Sequence, residues 1–118
     1  MMHQVARKKL NVKQGHRKSL LRNLAISLIT HGHIQSTTTH VKTLRSYVEK
    51  LVTLAREGNT FNVIRRIRQE LPYDKDAVTK LITEIAPKYV TRQGGYTRIY
   101  NLGRRPSDTA PISRIEWV

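Results

Sequence analysis

The sequence predicts an α+β fold: a helix, a strand, three helices and two strands, with a small three-stranded sheet backed by the helices and a basic extended arm in front. Three observations carry this expectation. Apolar residues recur at helical spacing in four segments. Short runs rich in β-branched and aromatic residues sit between turn residues, one after the first helical segment and two at the end of the chain. The opening residues hold neither pattern and concentrate positive charge instead.

The arm, residues 1–18, reads as extended chain with a break at Gln14-Gly15. Between Arg7 and Arg22, seven of sixteen residues are Lys or Arg and none is acidic. Such a segment is too polar to bury itself, and its self-repulsion disfavours compaction unless a polyanion supplies the counter-charge. Residues 19–118 read as a single domain. Its first helix runs from about Ser19 to His31, with Leu20, Leu21, Leu24, Ala25, Leu28 and Ile29 at helical spacing and Gly32 placed to end it. His33 to Ser36 is a strand candidate. Thr37, Thr38 and Thr39 follow, and Thr38 or Thr39 suits the cap of the second helix. That helix is expected from about His40 to Arg56, with Val41, Leu44, Val48, Leu51, Val52 and Ala55 on one face and Gly58 after it.

Thr60 is placed to cap a third helix bearing Val63, Ile64, Ile67 and Leu71, with Arg65, Arg66 and Arg68 on its polar side and Pro72 as its stop. Asp74 is placed to cap a fourth, carrying Val78, Leu81, Ile82 and Ile85 and ending at Pro87. Lys88 to Gly95 is a loop, Tyr96 to Leu102 a strand, Gly103 to Pro111 a long turn, and Ile112 to Val118 the last strand. One sheet face must pack on the helices. The other would carry some of Arg98, Tyr100 and Arg114 and face a partner.

Composition narrows the function. The chain has 118 residues, 22 Lys or Arg against 8 Asp or Glu, and a net charge of +14. That excess predicts attraction to phosphates with a steep salt dependence. No acid precedes Glu49, so the basic surface is built largely from the first part of the chain. The absence of cysteine excludes disulfides, thiolate metal sites and thiol nucleophiles. No apolar run is long enough to span a membrane and no signal-peptide core follows the start, so a cytoplasmic or organelle-matrix location is expected. His31-Gly32-His33 does not make a metal site, because three or four converging ligands are needed and neither Cys nor a nearby acid is present. No cofactor and no small-molecule substrate are expected.

The candidate nucleic-acid contacts follow from this charge map. Arg7, Lys8, Lys9, Lys13, His16, Arg17, Lys18 and Arg22 form the arm and first helix, where long cations release counterions from phosphate and Arg adds bidentate geometry. Arg92-Gln93-Gly94-Gly95-Tyr96-Thr97-Arg98 is the second group. Gly94 and Gly95 would let backbone approach phosphate, Tyr96 would stack on a base, and Arg92 and Arg98 would flank it. The alternative at Tyr96 is a tight loop with the ring in the core. Arg104 and Arg105 form a basic turn tip. Thr37 and Thr38 have hydroxyls able to bond phosphate, although capping and strand roles explain them equally well. His3, Lys42 and Arg45 complete the candidate set.

Four segments in order resemble one family: HRKSLLRNLAISLITHGHI (16–34), KTLRSYVEKLVTLAREG (42–58), IAPKYVTRQGGYTRI (85–99) and APISRIEWV (110–118). They resemble the bacterial large-subunit ribosomal proteins numbered seventeen, and RQGGYTRI is the most specific piece. The likeness runs from His3 to Val118. It departs from the family pattern where Arg7 stands for a usual glycine, Gln4 and Val5 for usual basic residues, and Thr39 for a common proline. The resemblance implies an α+β fold, a structural and non-catalytic role, and binding to large-subunit ribosomal RNA. It also implies neighbouring ribosomal proteins as partners and a position near the outer end of the nascent-chain tunnel, on a cytoplasmic or organellar ribosome.

Two other classes compete. A nucleoid-type DNA-binding protein fits size and charge but lacks a helix-turn-helix or basic-zipper pattern. A small ribonuclease would need two histidines as acid and base, drawn from His16, His31 and His33, and no carboxylate is placed to orient either ring.

Overall fold

The computed structural model describes residues 13–58 and 60–118. Among these, the elements run α1 (Gln14–His31), β1 (His33–Thr37), α2 (Thr38–Ala55), α3 (Phe61–Glu70), α4 (Lys75–Lys80), β2 (Thr97–Arg104) and β3 (Pro111–Trp117). Helix, strand, three helices and two strands is the predicted order, and the α+β class holds. The expectations for His3, Arg7, Lys8 and Lys9 lie outside the described residues.

The first helix begins at Gln14 rather than near Ser19, so the predicted break at Gln14-Gly15 is instead its first turn. The reason is physical: residues 13–16 and Lys18 are exposed, and an exposed turn leaves no apolar stripe to read. At the other end Gly32 takes φ 84°, a left-handed conformation, and returns its N–H to the Leu28 carbonyl at 2.8 Å. The second helix starts at Thr38, and neither Thr38 nor Thr39 caps it. Thr37 occupies the cap position without a side-chain bond, while the Thr38 hydroxyl pairs with the Ser113 hydroxyl at 2.8 Å.

The remaining caps match the sequence reading. Thr60 accepts from the Val63 N–H at 3.4 Å, and Asp74 accepts from Asp76 and Ala77 at 2.9 and 3.2 Å. The fourth helix does not end sharply at Pro87. It widens into a π turn over Leu81–Ile85 and tightens into a 3₁₀ turn over Ala86–Tyr89, with Pro87 inside the latter. Proline has no N–H to return to the preceding turn, so the hydrogen-bond ladder must change pitch around it.

The sheet order is β1-β3-β2, with both pairings antiparallel. Ile34, Ile115 and Ile99 align across the three strands on the helix side. Gln35, Arg114 and Tyr100 align on the other side, as do His33, Glu116 and Arg98. A bulge between Asn101 and Gly103 lets β2 run on to Arg104, past its expected end at Leu102. The long turn therefore shrinks to residues 105–110.

Helix α2 is the hub. It packs on all three strands, on α1 and on α3. Its predicted stripe of Val41, Leu44, Val48, Leu51, Val52 and Ala55 is buried throughout. Each such Val or Leu contributes about 1.5–3 kcal/mol of burial. An aromatic series closes the end of the core: the Tyr89 ring lies 5.3 Å from Tyr96 and 6.4 Å from Trp117. The Trp117 N–H reaches the Leu28 carbonyl at 3.3 Å, which ties β3 to α1.

Candidate nucleic-acid interface

The start of α1 sets the electrostatics. Lys13, His16 and Lys18 are exposed and Arg17 is half-buried. Among the described residues, no side chain caps this end, and its first turn has no acid. A helix N-terminus carries partial positive charge and orphan N–H groups, so cations there raise the local potential further. An anion placed at this end would relieve both.

The second helix repeats the arrangement. Its N-terminus has no side-chain cap and no acid in the first turn. It opens beside a polar recess of about 460 Å³ lined by Gln35, Ser36, Thr37, His40, Arg105 and Ile112. Here the fold brings together Thr37 and Arg105, which lie far apart in the chain. His40 joins them, with its ring Nδ1 3.3 Å from the Ser36 hydroxyl. The sequence offered no sign of His40's place, since the recess depends on how the β2–β3 hairpin folds over β1. Lys42 is exposed on the same helix. Arg45 is exposed but pairs with Glu49 at 3.4 Å, and Glu49 also accepts from the Thr97 hydroxyl at 3.0 Å.

In the glycine loop, Gly94 and Gly95 take φ of 85° and 65°, a conformation that side chains disfavour. Arg92 is exposed there, and Arg98 is exposed at the head of β2, donating to the Tyr100 hydroxyl at 3.1 Å. Tyr96 does not point at a partner. It is 1% exposed, its ring packs on Tyr89, and its hydroxyl accepts from Arg56 at 2.8 Å. The expectation that Tyr96 stacks on a base is corrected: no face of the ring is open, and the alternative of a core ring is the one observed.

Other candidates are tied up internally. Arg22 donates to the Gln69 carbonyl at 3.2 Å, and its guanidinium sits 5.9 Å from the Tyr73 ring centre. It therefore joins α1 to the end of α3, and its position on the basic helix did not reveal that. At the hairpin tip Arg104 donates to the Thr109 carbonyl at 2.9 Å. Arg105 grips Asp108 through two bonds of 2.9 and 2.6 Å. The Arg105 hydrogen bond is the first cause holding the Asp108 carboxyl down at about 2. Both arginines remain exposed, and the tip is presented as a fixed turn. Of the predicted contact residues, Lys13, Arg17, Lys18, Lys42 and Arg92 make no side-chain hydrogen bond or ion pair among the described residues, and Arg98 is held only by the Tyr100 hydroxyl.

Among the described residues, no three His, Asp or Glu side chains converge as metal ligands would. No described helix is long and apolar enough to cross a membrane.

Residues 20–118 match the family described as ribosomal protein L17. The chain belongs to the ribosomal protein L17 family. Curated relatives named large ribosomal subunit protein bL17 align over the whole chain. That of Wolinella succinogenes is 47% identical over 118 residues and that of Helicobacter pylori 48%, each covering all of both chains. That of Rickettsia bellii is 44% identical over 121 residues, covering all of this chain and 82% of the relative. Membership makes the protein a structural constituent of the large ribosomal subunit, in the cytoplasm, and not an enzyme. The family match begins at Leu20, within α1, while the full-length relatives also span residues 1–19.

Proposed function

We propose that this ribosomal L17-family protein binds large-subunit, 23S-type ribosomal RNA. The arm residues Arg7, Lys8 and Lys9 and the exposed cations at the start of α1 make the first contact. Arg92, Arg98 and the fixed tip of Arg104 and Arg105 make the second. The observation that supports this most directly is the acid-free, uncapped start of α1 with Lys13, His16 and Lys18 exposed upon it. That cluster opposes the helix dipole, and a phosphate backbone is the partner that would compensate it. We further propose that the site lies near the outer end of the nascent-chain tunnel, beside other large-subunit proteins; the family resemblance supports this reading.

A paired titration tests the reading. Fragments of large-subunit ribosomal RNA and duplex DNA of equal length are titrated across a salt series. Tighter binding to one RNA fragment at moderate salt, with a steep salt slope, is the expected result. Equal binding to RNA and DNA at every salt would refute a specific ribosomal RNA site and favour a nucleoid-type role.

A further inference from the structure

Helix α3 packs chiefly on α2 and α4. Its buried side is ordinary core: Val63 and Ile67. Its outer side is not ordinary surface. Phe61 is 77% exposed, an unusual state for so large an apolar ring. Beside it runs a groove of about 520 Å³ lined by Phe61, Ile64, Arg65, Arg68 and Gln69. A second recess of about 170 Å³ shares Ile64 and Arg68 and continues to Val78 and Ile82 near α4. The two adjoin at Ile64 and Arg68, so an apolar channel edged by cations leads from Phe61 towards a mixed wall that also holds Thr79 and Thr83.

The cations are unspent. Arg65, Arg66 and Arg68 are exposed, and none of the ion pairs among the described residues involves α3. Arg65 lies over the Phe61 ring, 5.7 Å from its centre, so the charge sits directly above the apolar patch. An occupant must satisfy both features at once. A phosphate backbone would answer the arginines and leave the Phe61 ring and the open part of Ile64 in water. A peptide with an apolar anchor flanked by carboxylates answers both.

The geometry points to the α3–α4 channel as a docking site for an acidic, amphipathic segment of another protein, with its apolar anchor beside Phe61 and Ile64 and its carboxylates on Arg65 and Arg68. Its lining shares no residue with the proposed RNA contacts, with only the bonded Arg22 touching its edge at Gln69, and it stands or falls independently of them.

The test uses the full chain and a synthetic acidic helical peptide with leucines at i, i+3 and i+7. A matched peptide replaces each leucine with serine at equal charge. Binding is followed by fluorescence anisotropy at near-physiological salt and mapped by amide chemical-shift changes. The leucine peptide is expected to bind about tenfold more tightly than the serine peptide, with shifts at Phe61, Ile64, Arg65 and Arg68. Phe61→Ser should erase that difference, and Arg65→Glu with Arg68→Glu should weaken both peptides. Phe61 is exposed, so Phe61→Ser should leave the circular dichroism spectrum unchanged. Equal binding of the two peptides would overturn the proposal, as would shifts confined to α1. Shifts at Phe61 and Ile64 with a single-stranded RNA oligonucleotide but not with the leucine peptide would assign the channel to RNA and also overturn it.

Discussion

Replacing Tyr96 separates a core role from a recognition role. Tyr96→Ala empties a site that is 1% exposed and packed on Tyr89. Loss of a buried aromatic costs about 3–5 kcal/mol. Tyr96→Phe keeps the ring and removes only the acceptor of the 2.8 Å bond from Arg56. Hydrogen bonds to charged groups contribute about 1.5–3 kcal/mol when buried. Arg56 is only half-buried, and its other amino group keeps the Val90 carbonyl at 3.0 Å, so water can replace part of the loss. Tyr96→Phe should therefore cost about 1 kcal/mol. For a domain of this size the melting temperature falls by roughly 3–6 °C per kcal/mol. The alanine variant should melt roughly 9–30 °C lower and the phenylalanine variant roughly 3–6 °C lower. Urea unfolding should show lower midpoints, with RNA affinity unchanged for Tyr96→Phe at a temperature where it is folded. An alanine variant as stable as the parent, with RNA binding lost, would refute the core reading and restore Tyr96 as a base-stacking residue.

Three further outcomes are expected. Alanine at Arg7, Lys8 and Lys9 should weaken RNA binding and lower the log–log salt slope by about 0.7–0.9 per lost phosphate contact, with the circular dichroism spectrum unchanged; an unfolded variant would contradict the division into arm and platform. Asp74→Ala removes the acceptor for the Asp76 and Ala77 N–H groups and should cost about 1 kcal/mol in urea unfolding; no change in midpoint would mean water caps the helix equally well. Asp108 has its carboxyl held at about 2 against an ordinary 3.8, so its contribution to the hairpin tip is fully present above 3.8 and is lost as pH falls through about 2. An NMR pH titration of the Ala110 amide should show that midpoint, and Arg105→Ala should move it back towards 3.8; an unmoved midpoint would mean Arg105 is not its cause.

Much of the fold was legible because its helices carry their apolar stripes where burial is greatest. Val41 to Ala55 on α2 and Val63 and Ile67 on α3 announce their helices, and Thr60 and Asp74 announce where two of them start. What failed to register shares a cause. Residues 14–18 form helix without a stripe, because solvent surrounds most of them. The switch to π and 3₁₀ turns around Pro87 preserves the spacing of Leu81, Ile82 and Ile85, so periodicity cannot expose it. The candidate site was legible as charge and not as commitment. Composition counts Arg22, Arg45 and Arg105 as free cations, while the long-range fold gives Arg22 to Tyr73 and Gln69 and local i,i+4 and i,i+3 pairs give Arg45 to Glu49 and Arg105 to Asp108. Tyr96 shows the same limit, since a Gly-Gly-Tyr run looks alike whether the ring turns inward or outward.

The strand that comes last in the chain sits in the middle of the sheet. Among the described residues, β1 and β2 have no pairing with each other, and each pairs only with β3. His33 must wait for Glu116, and Thr38 for Ser113, across most of the chain's length. During synthesis the basic first helix and the α2 hub are therefore made long before any sheet can exist. A chain cut short before Pro111 loses every strand pairing rather than one edge. Docking of β3 also sets the Trp117 bond to α1, so sheet closure adds a late tie to a basic helix already packed on α2 and α4. Such distant pairings fold slowly relative to local helices.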